Sequence, residues 1–255
     1  MLRIILAVLL FLAAPAGAQE SVVAGLSQHR VAITANFDGT AILIFGAVKR
    51  DSKPPKGQQP LQVVIAVSGP AKPVLVRRKE RVFGIWINRS SVKVNAAPSF
   101  YAIASTVPLR QALSSAEDHR YKISIGNMVG QATPSGKISD VPAFSKAIIR
   151  IRQNNGLYSD SAGHVNLIDD TLFDTQIKLP ANLVEGDYKA RIFLTRERKV
   201  IDSFDTTIAV RKVGMERWIY NLAHRQPLLY GLLSLAIAIG AGWLAATIFR
   251  LLRIS

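Results

Sequence analysis

"LPANLVEGDYKARIFL" spans Leu179 to Leu194 and carries the clearest fold signal in the chain. A turn containing Pro180 leads through Gly186-Asp187-Tyr188 into a strand in which polar and apolar residues alternate. The penultimate strand of immunoglobulin-like sandwiches often begins in this way, with the tyrosine hydroxyl bonding back across the corner. A hairpin and a last strand follow it. We therefore predict a mainly β fold with an immunoglobulin-like β-sandwich, and we expect Tyr188 to make the corner hydrogen bond.

Strand-like patterns continue on both sides of this stretch. Short apolar runs alternate with turn residues over residues 19–107, and "RVFGIWIN" (Arg81 to Asn88) is interpreted as one of these strands. The Asp-Gly pair in "NFDGT" (Asn36 to Thr40) predicts a tight hairpin, because glycine accepts positive φ. Four alternating segments fill residues 157–213. We expect an N-terminal and a C-terminal β-sandwich part at these bounds, which form one sandwich or two.

Residues 108–156 have a different pattern, which predicts a helical insertion between the two β parts. "PLRQALSSAEDHR" (Pro108 to Arg120) opens with proline and continues with good helix formers. "VPAFSKAIIRIRQNNG" (Val141 to Gly156) repeats its apolar residues at helical spacing and ends at glycine. The glycine-containing stretch between them, Ile125 to Asp140, is interpreted as a loop.

Residues 1–18 have the pattern of a cleavable signal peptide. Met1-Leu2-Arg3 is a short positive region, an apolar run follows it, and Ala16-Gly17-Ala18 has the small residues of a cleavage site. Cleavage there makes Gln19 the mature N-terminus of an exported protein. Because the chain has no cysteine, we expect the exported domain to be held by its core, without disulfides or thiolate-bound metal.

A second apolar stretch, near the C-terminus, predicts one transmembrane helix. Residues 228–249 carry no charge, and a helix of that length covers about 33 Å against a hydrocarbon core of about 30 Å. With the signal peptide, this span predicts a single-pass membrane protein that has its large N-terminal domain, residues 19–226, outside the cytoplasm. Residues 250–255 are then a short cytoplasmic tail. The basic residues beside the span favour the reverse orientation, but that rule is weak for long translocated domains.

Two features of this membrane region have a predicted role. Residues 214–227 have the pattern of an amphipathic helix in the headgroup region, with Trp218 on one side and Arg217 and Arg225 on the other. The alternative is a plain helical start to the span. Within the span, small residues recur every four positions, at Ser234, Ala238, Gly242 and Ala246. Such a ridge lets helix backbones approach closely, so we expect self-association or contact with a membrane-protein partner.

The chain is strongly basic. It has 32 Lys and Arg against 17 Asp and Glu, and residues 19–226 alone have 29 against 17, a net charge of +12. Such a surplus attracts anions, anionic lipid or acidic partners, and export excludes nucleic acid. The densest group is Arg77, Arg78, Lys79 and Arg81. Alternation along a strand places Arg77 and Lys79 on one face and Arg78 on the other. The group is either an anion-binding patch or the protection of an edge strand.

Catalytic motifs are weak in this sequence. The sequence around Ser68 lacks the first glycine of the Gly-x-Ser-x-Gly motif that surrounds the nucleophile of many hydrolases. The four histidines are scattered along the sequence. The carboxylates between Asp160 and Asp174 do not have the spacing of a calcium loop. We therefore expect no enzymatic activity, no metal and no cofactor. A hydrolase would require His164 to meet Asp169 or Asp170 in a cleft.

Several of these stretches together resemble one family across nearly the whole chain. "FDGTAILIFGAV", the Gly156-Leu157-Tyr158 triplet, "LFDTQIKLPANLVEGDYKARIFL" and "GMERWIYNLAHRQPLLYGLLSLAIAIGAGWLAATIFR" are similar to the alphaproteobacterial transmembrane protein family (Alph_Pro_TM-like). The resemblance implies the topology above and a Gram-negative inner membrane, and it carries over no catalytic residue. It also implies an association with sulfite-exporter-like permeases, which composition and spacing do not show.

Two functions follow as hypotheses. The first is a non-enzymatic accessory or interaction subunit, tethered beside a membrane partner through its span. The second is a periplasmic module that binds a small anion such as an oxyanion of sulfur, on the basic surface. A hydrolase with an unrecognised constellation is the third.

Overall fold

The computed structural model describes residues 20–34, 37–50, 59–130, 132–134, 140–213 and 215–253. The predicted signal peptide, residues 1–18, lies outside these ranges. The strands are β1 (Glu20–Leu26), β2 (Arg30–Ile33), β3 (Gly39–Arg50), β4 (Gln62–Ser68), β5 (Ala71–Val82), β6 (Ile85–Pro98), β7 (Tyr101–Ser105), β8 (Ala132–Pro134), β9 (Tyr158–Ala162), β10 (Asn166–Ile168), β11 (Leu172–Pro180), β12 (Gly186–Arg196) and β13 (Lys199–Lys212). The helices are α1 (Leu109–Ala112), α2 (Ser115–Tyr121), α3 (Ile125–Met128), α4 (Val141–Asn154), α5 (Met215–Arg225) and α6 (Pro227–Arg253). The mainly β class with one C-terminal apolar helix is confirmed.

The strands form three sheets. One has the order β1-β3-β11-β10, the second β2-β13-β12-β4-β7-β9, and the third β5-β6-β8. Strands β7 and β9 pair in parallel, and the neighbours β1 and β3, β3 and β11, β12 and β13, β4 and β12, and β4 and β7 pair antiparallel. Strand β1 lies against β12, and β11 lies against β7, so the first two sheets pack face to face.

The core follows the alternation in the sequence. On β12 the side chains of Tyr188, Ala190, Ile192 and Leu194 are buried, while those of Asp187 and Lys189 are exposed. Strand β4 is buried along both faces, because α1 contacts it in addition to the neighbouring sheet. Tyr188 Oη donates to the Val184 carbonyl at 2.8 Å, so the predicted corner hydrogen bond is confirmed. The immunoglobulin-like assignment stays a prediction.

Two buried tyrosines of the second sheet each hold a neighbouring segment: Tyr101 holds the helical region and Tyr158 holds the end of β6. Tyr101 Oη donates to the Ile123 carbonyl at 2.6 Å, and Tyr158 Oη donates to the Pro98 carbonyl at 2.7 Å. Burial raises the pKa of each phenol from its ordinary value of about 10 to about 12, so the protonated, hydrogen-bond-donating form persists to higher pH than in a free tyrosine. Their rings meet edge to face with centroids 6.4 Å apart.

Two strand predictions were wrong. The Asp-Gly pair does not close a hairpin between β2 and β3, because β2 belongs to the six-stranded sheet and β3 to the four-stranded one. Gly39 has φ +116° where the chain enters β3. The stretch from Arg81 to Asn88 is not one strand, since β5 ends at Val82 and β6 begins at Ile85. The intervening Phe83 and Gly84 form a two-residue turn with φ +48° and +86°.

The helical region is more divided than its sequence pattern indicated. The first predicted helix is split into α1 and α2, because Ser114 is extended and accepts from the Glu117 backbone N–H as an N-cap. The predicted loop contains the short helix α3 and the strand β8. Helix α4 forms where its apolar spacing predicted it, with Asp140 as N-cap and Gly156 at φ +69° just beyond its end.

The chain divides into two compact units. The β-rich unit comprises the chain up to Val31 together with Asp38–Val210, and the second unit comprises Ala32–Phe37 and Arg211–Ser255. The second unit contains α5 and α6. Residues Pro227–Arg250 of α6 form a helix with mean hydropathy 2.1 that is long and apolar enough to cross a membrane. The helix continues to Arg253 and so includes the first four residues of the predicted tail.

Candidate functional site

The predicted basic group lies on a long hairpin formed by β5 and β6. The strands pair from Ala71 and Pro98 to Val82 and Ile85, and a β-bulge at Arg89 shifts the register between Arg78 and Lys79. Twelve residues in β5 give an extended length of about 40 Å. Strand β8 pairs with Val92–Val94 on the other side of β6, so β5 lies at one edge of the three-stranded sheet.

One face of this hairpin, which we call the basic face, carries Arg77, Lys79, Arg81 and Lys93. Opposed residues share a face, and the register places Trp86 opposite Arg81 and Lys93 opposite Leu75. All four basic side chains are exposed, and none of them forms an ion pair within the described part of the chain. Arg78 points to the other face, as alternation predicted. The structure thus separates Arg78 from the other three predicted residues.

The end of the hairpin is apolar. Phe83 is fully exposed, and Ile85 and Trp86 are 65% and 66% exposed. We call these three residues the apolar tip. Sequence reasoning missed the tip because it lies inside the stretch interpreted as a continuous strand. Gly84 was the available signal, since glycine within a strand pattern can mark a turn.

The opposite face of the hairpin meets α4 and forms a groove of about 570 Å³. Phe144 and Ile148 of α4 are buried, as are Val92 and Val94 of β6. The guanidinium of Arg78 lies 4.8 Å from the centroid of the Phe144 ring. The residues that line this α4 groove are Val76, Arg77, Arg78, Ala143, Phe144, Lys146, Ala147, Arg150 and Ile151.

The charged residues that line the α4 groove are all basic. Lys146 and Arg150 are one helical turn apart, so they lie on the same side of α4, and both are exposed. Arg77 and Arg78 line the strand side, and the lining contains no Asp or Glu. Together with the apolar floor, this arrangement can hold a ligand that has both negative charge and apolar surface. The sequence did not predict the groove, because the contact between α4 and β5 joins residues about seventy positions apart.

The second unit contains the other predicted site residues. Trp218 is exposed on α5, and Arg217 and Arg225 belong to the same helix. The Tyr220 and His224 rings stack with centroids 4.0 Å apart, one turn apart on that helix. The position of α5 in a headgroup region stays a prediction.

The small-residue ridge lies within α6. Ser234, Ala238, Gly242 and Ala246 all fall in the continuous helix, and the Ser234 hydroxyl donates to the Gly231 carbonyl at 2.8 Å. Among the described residues, apart from the neighbouring backbone of α6 itself, a Cβ added at Gly242 would meet nothing within 4 Å. The role of the ridge in association stays a prediction.

Replacing Ala238 and Gly242 with leucine is expected to weaken association between helices in the membrane by about tenfold, because bulkier side chains hold the backbones apart. The protein should remain membrane-bound, which fractionation checks, while crosslinking in native membranes measures the association. A236L/G240L is the matched control, since it makes the same two changes on nearly the opposite side of the helix. Equal crosslinking of the ridge variant and the unmodified protein would contradict the prediction.

The carboxylates considered for catalysis lie at the β10–β11 hairpin. Asp169 and Asp170 occupy its loop with φ +49° and +51°, and Asp174 accepts a hydrogen bond from the Asn166 side chain at 3.4 Å. Among the described residues, no three His, Asp or Glu side chains form a group that could hold a metal ion. The hydrolase hypothesis gains no support from these positions.

Comparison with known proteins places these features in a family. No curated protein matches the chain. The family described as "Putative transmembrane protein (Alph_Pro_TM)" matches residues 21–251, a range that includes both the β5–β6 hairpin and the candidate span. The candidate span and the family match agree on membrane association. This protein belongs to the Alph_Pro_TM family of transmembrane proteins.

Proposed function

We propose that this protein is a non-enzymatic, single-pass accessory subunit whose α4 groove holds an acidic segment of a membrane-protein partner. The observation that carries the proposal is the groove itself. It has an apolar floor, four basic residues in its lining and no carboxylate there to neutralise them. The β-rich unit lies in the periplasm of a Gram-negative cell, and the predicted signal peptide supports that placement.

The composition of the groove favours an acidic segment over a small oxyanion. Sites for small oxyanions gather several backbone or side-chain N–H donors around one point. Here Arg78, Lys146 and Arg150 are all exposed, and Phe144 and Ala147 form apolar surface between them. An acidic segment with apolar side chains satisfies both parts. The apolar side chains of the segment would be buried on the floor of the groove. Its carboxylates would pair with the exposed basic residues of the groove, and these ion pairs would set the orientation of the segment and its association rate.

The membrane helix supports the choice of a membrane protein as partner. An anchored domain meets proteins of the same bilayer at high effective concentration, so modest affinity in the groove suffices for stable contact. The resemblance to proteins associated with sulfite-exporter-like permeases makes such a permease the first partner to examine.

The double substitution R78E/R150E is expected to reduce crosslinking from the groove by about tenfold or more, because it places like charges against the acidic segment. The measurement uses full-length protein with a photoreactive benzoylphenylalanine in place of Ala147, irradiated in native membranes. Mass spectrometry then identifies the partner and the crosslinked peptide. We expect a membrane protein and a peptide that contains several Asp or Glu residues.

The matched control is K178E/K189E, which makes the same change in charge on exposed strand positions outside the groove. It should leave crosslinking unchanged. A crosslinked peptide without acidic residues, or equal losses in both double variants, would overturn the proposal. Calorimetry of the purified protein with sulfite, sulfate and phosphate tests the alternative. Saturable heat that R78E/R150E abolishes would assign the groove to a small anion instead.

A further inference from the structure

The apolar tip of the hairpin is not explained by the α4 groove. Phe83 exposes its whole side chain and has φ +48°, a conformation that favours glycine, asparagine and aspartate in a two-residue hairpin turn. Ile85 and Trp86 add further exposed apolar surface beside it. Strained backbone conformations cluster at functional sites, so a large apolar side chain held in solvent at such a position motivates a search for a contact that it makes.

Edge protection explains only part of this hairpin. Strand β5 is an edge strand, and lysine and arginine on such a strand prevent pairing with another sheet. That role accounts for Arg77, Lys79 and Arg81. It does not account for the tip, because an exposed phenylalanine and tryptophan promote the association that edge protection prevents.

We propose that the apolar tip inserts into the surface of a bilayer that contains anionic lipid, with the basic face of the hairpin against the lipid phosphates. Tryptophan beside arginine is the usual composition at the boundary between headgroups and acyl chains. Trp86 and Arg81 are direct cross-strand neighbours, and Arg77 and Lys79 follow on the same face. The candidate span and the family match both indicate membrane association, so a bilayer is available to the hairpin.

The arrangement of charge favours lipid over a protein partner. Arg77, Lys79 and Arg81 occupy successive positions along one face of the hairpin, and of these three only Arg77 also lines the α4 groove. A sheet of anionic headgroups matches a row of this kind, and each basic residue near such a surface contributes about fivefold to binding at moderate ionic strength. Glu80, the carboxylate within this segment, lies on the opposite face, where it accepts from the Ser90 hydroxyl and pairs with Arg89 at 3.7 Å.

The absence of cysteine makes a direct test simple. A single I85C substitution in the full-length protein, labelled with the environment-sensitive dye NBD, leaves Phe83 and Trp86 in place. The labelled protein is reconstituted in vesicles of phosphatidylcholine alone or with about 30% phosphatidylglycerol. Iodide reports exposure of the dye to water, and a lipid with a spin label on its acyl chain reports insertion. The control is I168C, an isoleucine with 55% exposure on β10.

In the vesicles with phosphatidylglycerol, we expect iodide quenching of the I85C dye to fall about threefold or more and acyl-chain quenching to appear, while the I168C dye stays accessible to iodide. K79E/R81E, which leaves the lining of the α4 groove unchanged, should reverse the effect, and K178E/K189E, with the same change in charge, should not. F83N is the sharpest variant, because asparagine suits the turn and should leave the fold at least as stable while insertion is lost. R78E/R150E should leave insertion intact, so failure of the α4 groove proposal and failure of this one are distinguishable.

Equal iodide access at I85C in both kinds of vesicle would overturn the proposal. So would protection of the dye that appears only after a membrane-protein extract is added, since that result would assign the tip to a protein partner. Insertion that F83N does not change would also contradict it, because the tip would then have no part in the contact.

Discussion

Replacing Glu20 with alanine is expected to lower the free energy of unfolding by about 3–5 kcal/mol. The Glu20 side chain is only 3% exposed and lies between two arginines. Its Oε1 accepts from Arg50 Nε at 2.8 Å, and the Arg196 guanidinium binds both carboxylate oxygens, at 2.7 and 3.0 Å. Removal of the carboxylate leaves two largely buried guanidinium groups without a counter-charge. Buried charges that are not compensated strongly destabilise the folded state.

The position of this ion triad makes the effect large. Glu20 is the first residue of β1 and pairs with Arg50 at the end of β3, whereas Arg196 ends β12 in the other sheet. The carboxylate therefore joins the two packed sheets at one edge. Arg50 extends the connection, because its guanidinium also donates to the Asp170 carbonyl in the β10–β11 loop. Loss of Glu20 should loosen β1 first and the contact between the sheets with it.

Urea unfolding of the full-length protein in mild detergent, followed by tyrosine and tryptophan fluorescence, measures the loss. D205A is the control, because Asp205 is an exposed carboxylate on β13 and its removal should change stability by less than about 0.5 kcal/mol. The variant E20L/R50L/R196M separates the effect of unpaired charge on stability from the effect of lost packing, because it replaces all three charged side chains with apolar ones. If unpaired charge causes the loss, this apolar triple variant should recover most of it. A triple variant that is no more stable than E20A would show that the charge argument is wrong.

The sequence predicted best where the determinants are local. The bounds of β11, β12 and β13 follow from side chains that alternate between core and solvent, and Tyr188 reaches a carbonyl only four residues away. The two faces of the basic group also follow from alternation alone, which placed Arg78 apart from Arg77 and Lys79. A two-residue period and short-range geometry are determined within a single segment, so they can be predicted from its sequence alone.

The incorrect or missing predictions concern features that are determined by contacts between residues distant in sequence. An Asp-Gly pair has the same local chemistry whether its strands pair or diverge, so sequence gave no reason to send β2 and β3 to different sheets. Phenylalanine rarely adopts positive φ, so the sequence around Phe83 did not indicate the turn of the hairpin. The α4 groove and the Glu20 triad depend on contacts between residues about 30 to 180 positions apart, and no local pattern specifies which arginine or which helix is the partner.

Gly46→Val is expected to destabilise the β-rich unit by about 3 kcal/mol or more, through overpacking at a close approach of three strands. Gly46 lies in the middle of β3, opposite Ala24 of β1 and Phe173 of β11. A Cβ at this position would lie 2.6 Å from the Val23 carbonyl oxygen and would overlap the end of the Phe173 ring. The oxygen belongs to the backbone of a paired strand, so it can move only if β1 moves.

The two obstacles at Gly46 can be separated by a second substitution, with unfolding in urea as the measurement. G46A should cost about 2 kcal/mol, and F173L should relieve only the part that comes from the ring, so G46A/F173L should stay clearly less stable than F173L alone. G126A is the control, because a Cβ at Gly126 meets nothing within 4 Å and alanine suits a helix better than glycine. Full rescue by F173L would mean that β1 yields freely. In that case β1 would not be held as firmly as the Glu20 triad requires. The E20A and G46A/F173L experiments therefore both test how firmly β1 is fixed to the rest of the β-rich unit.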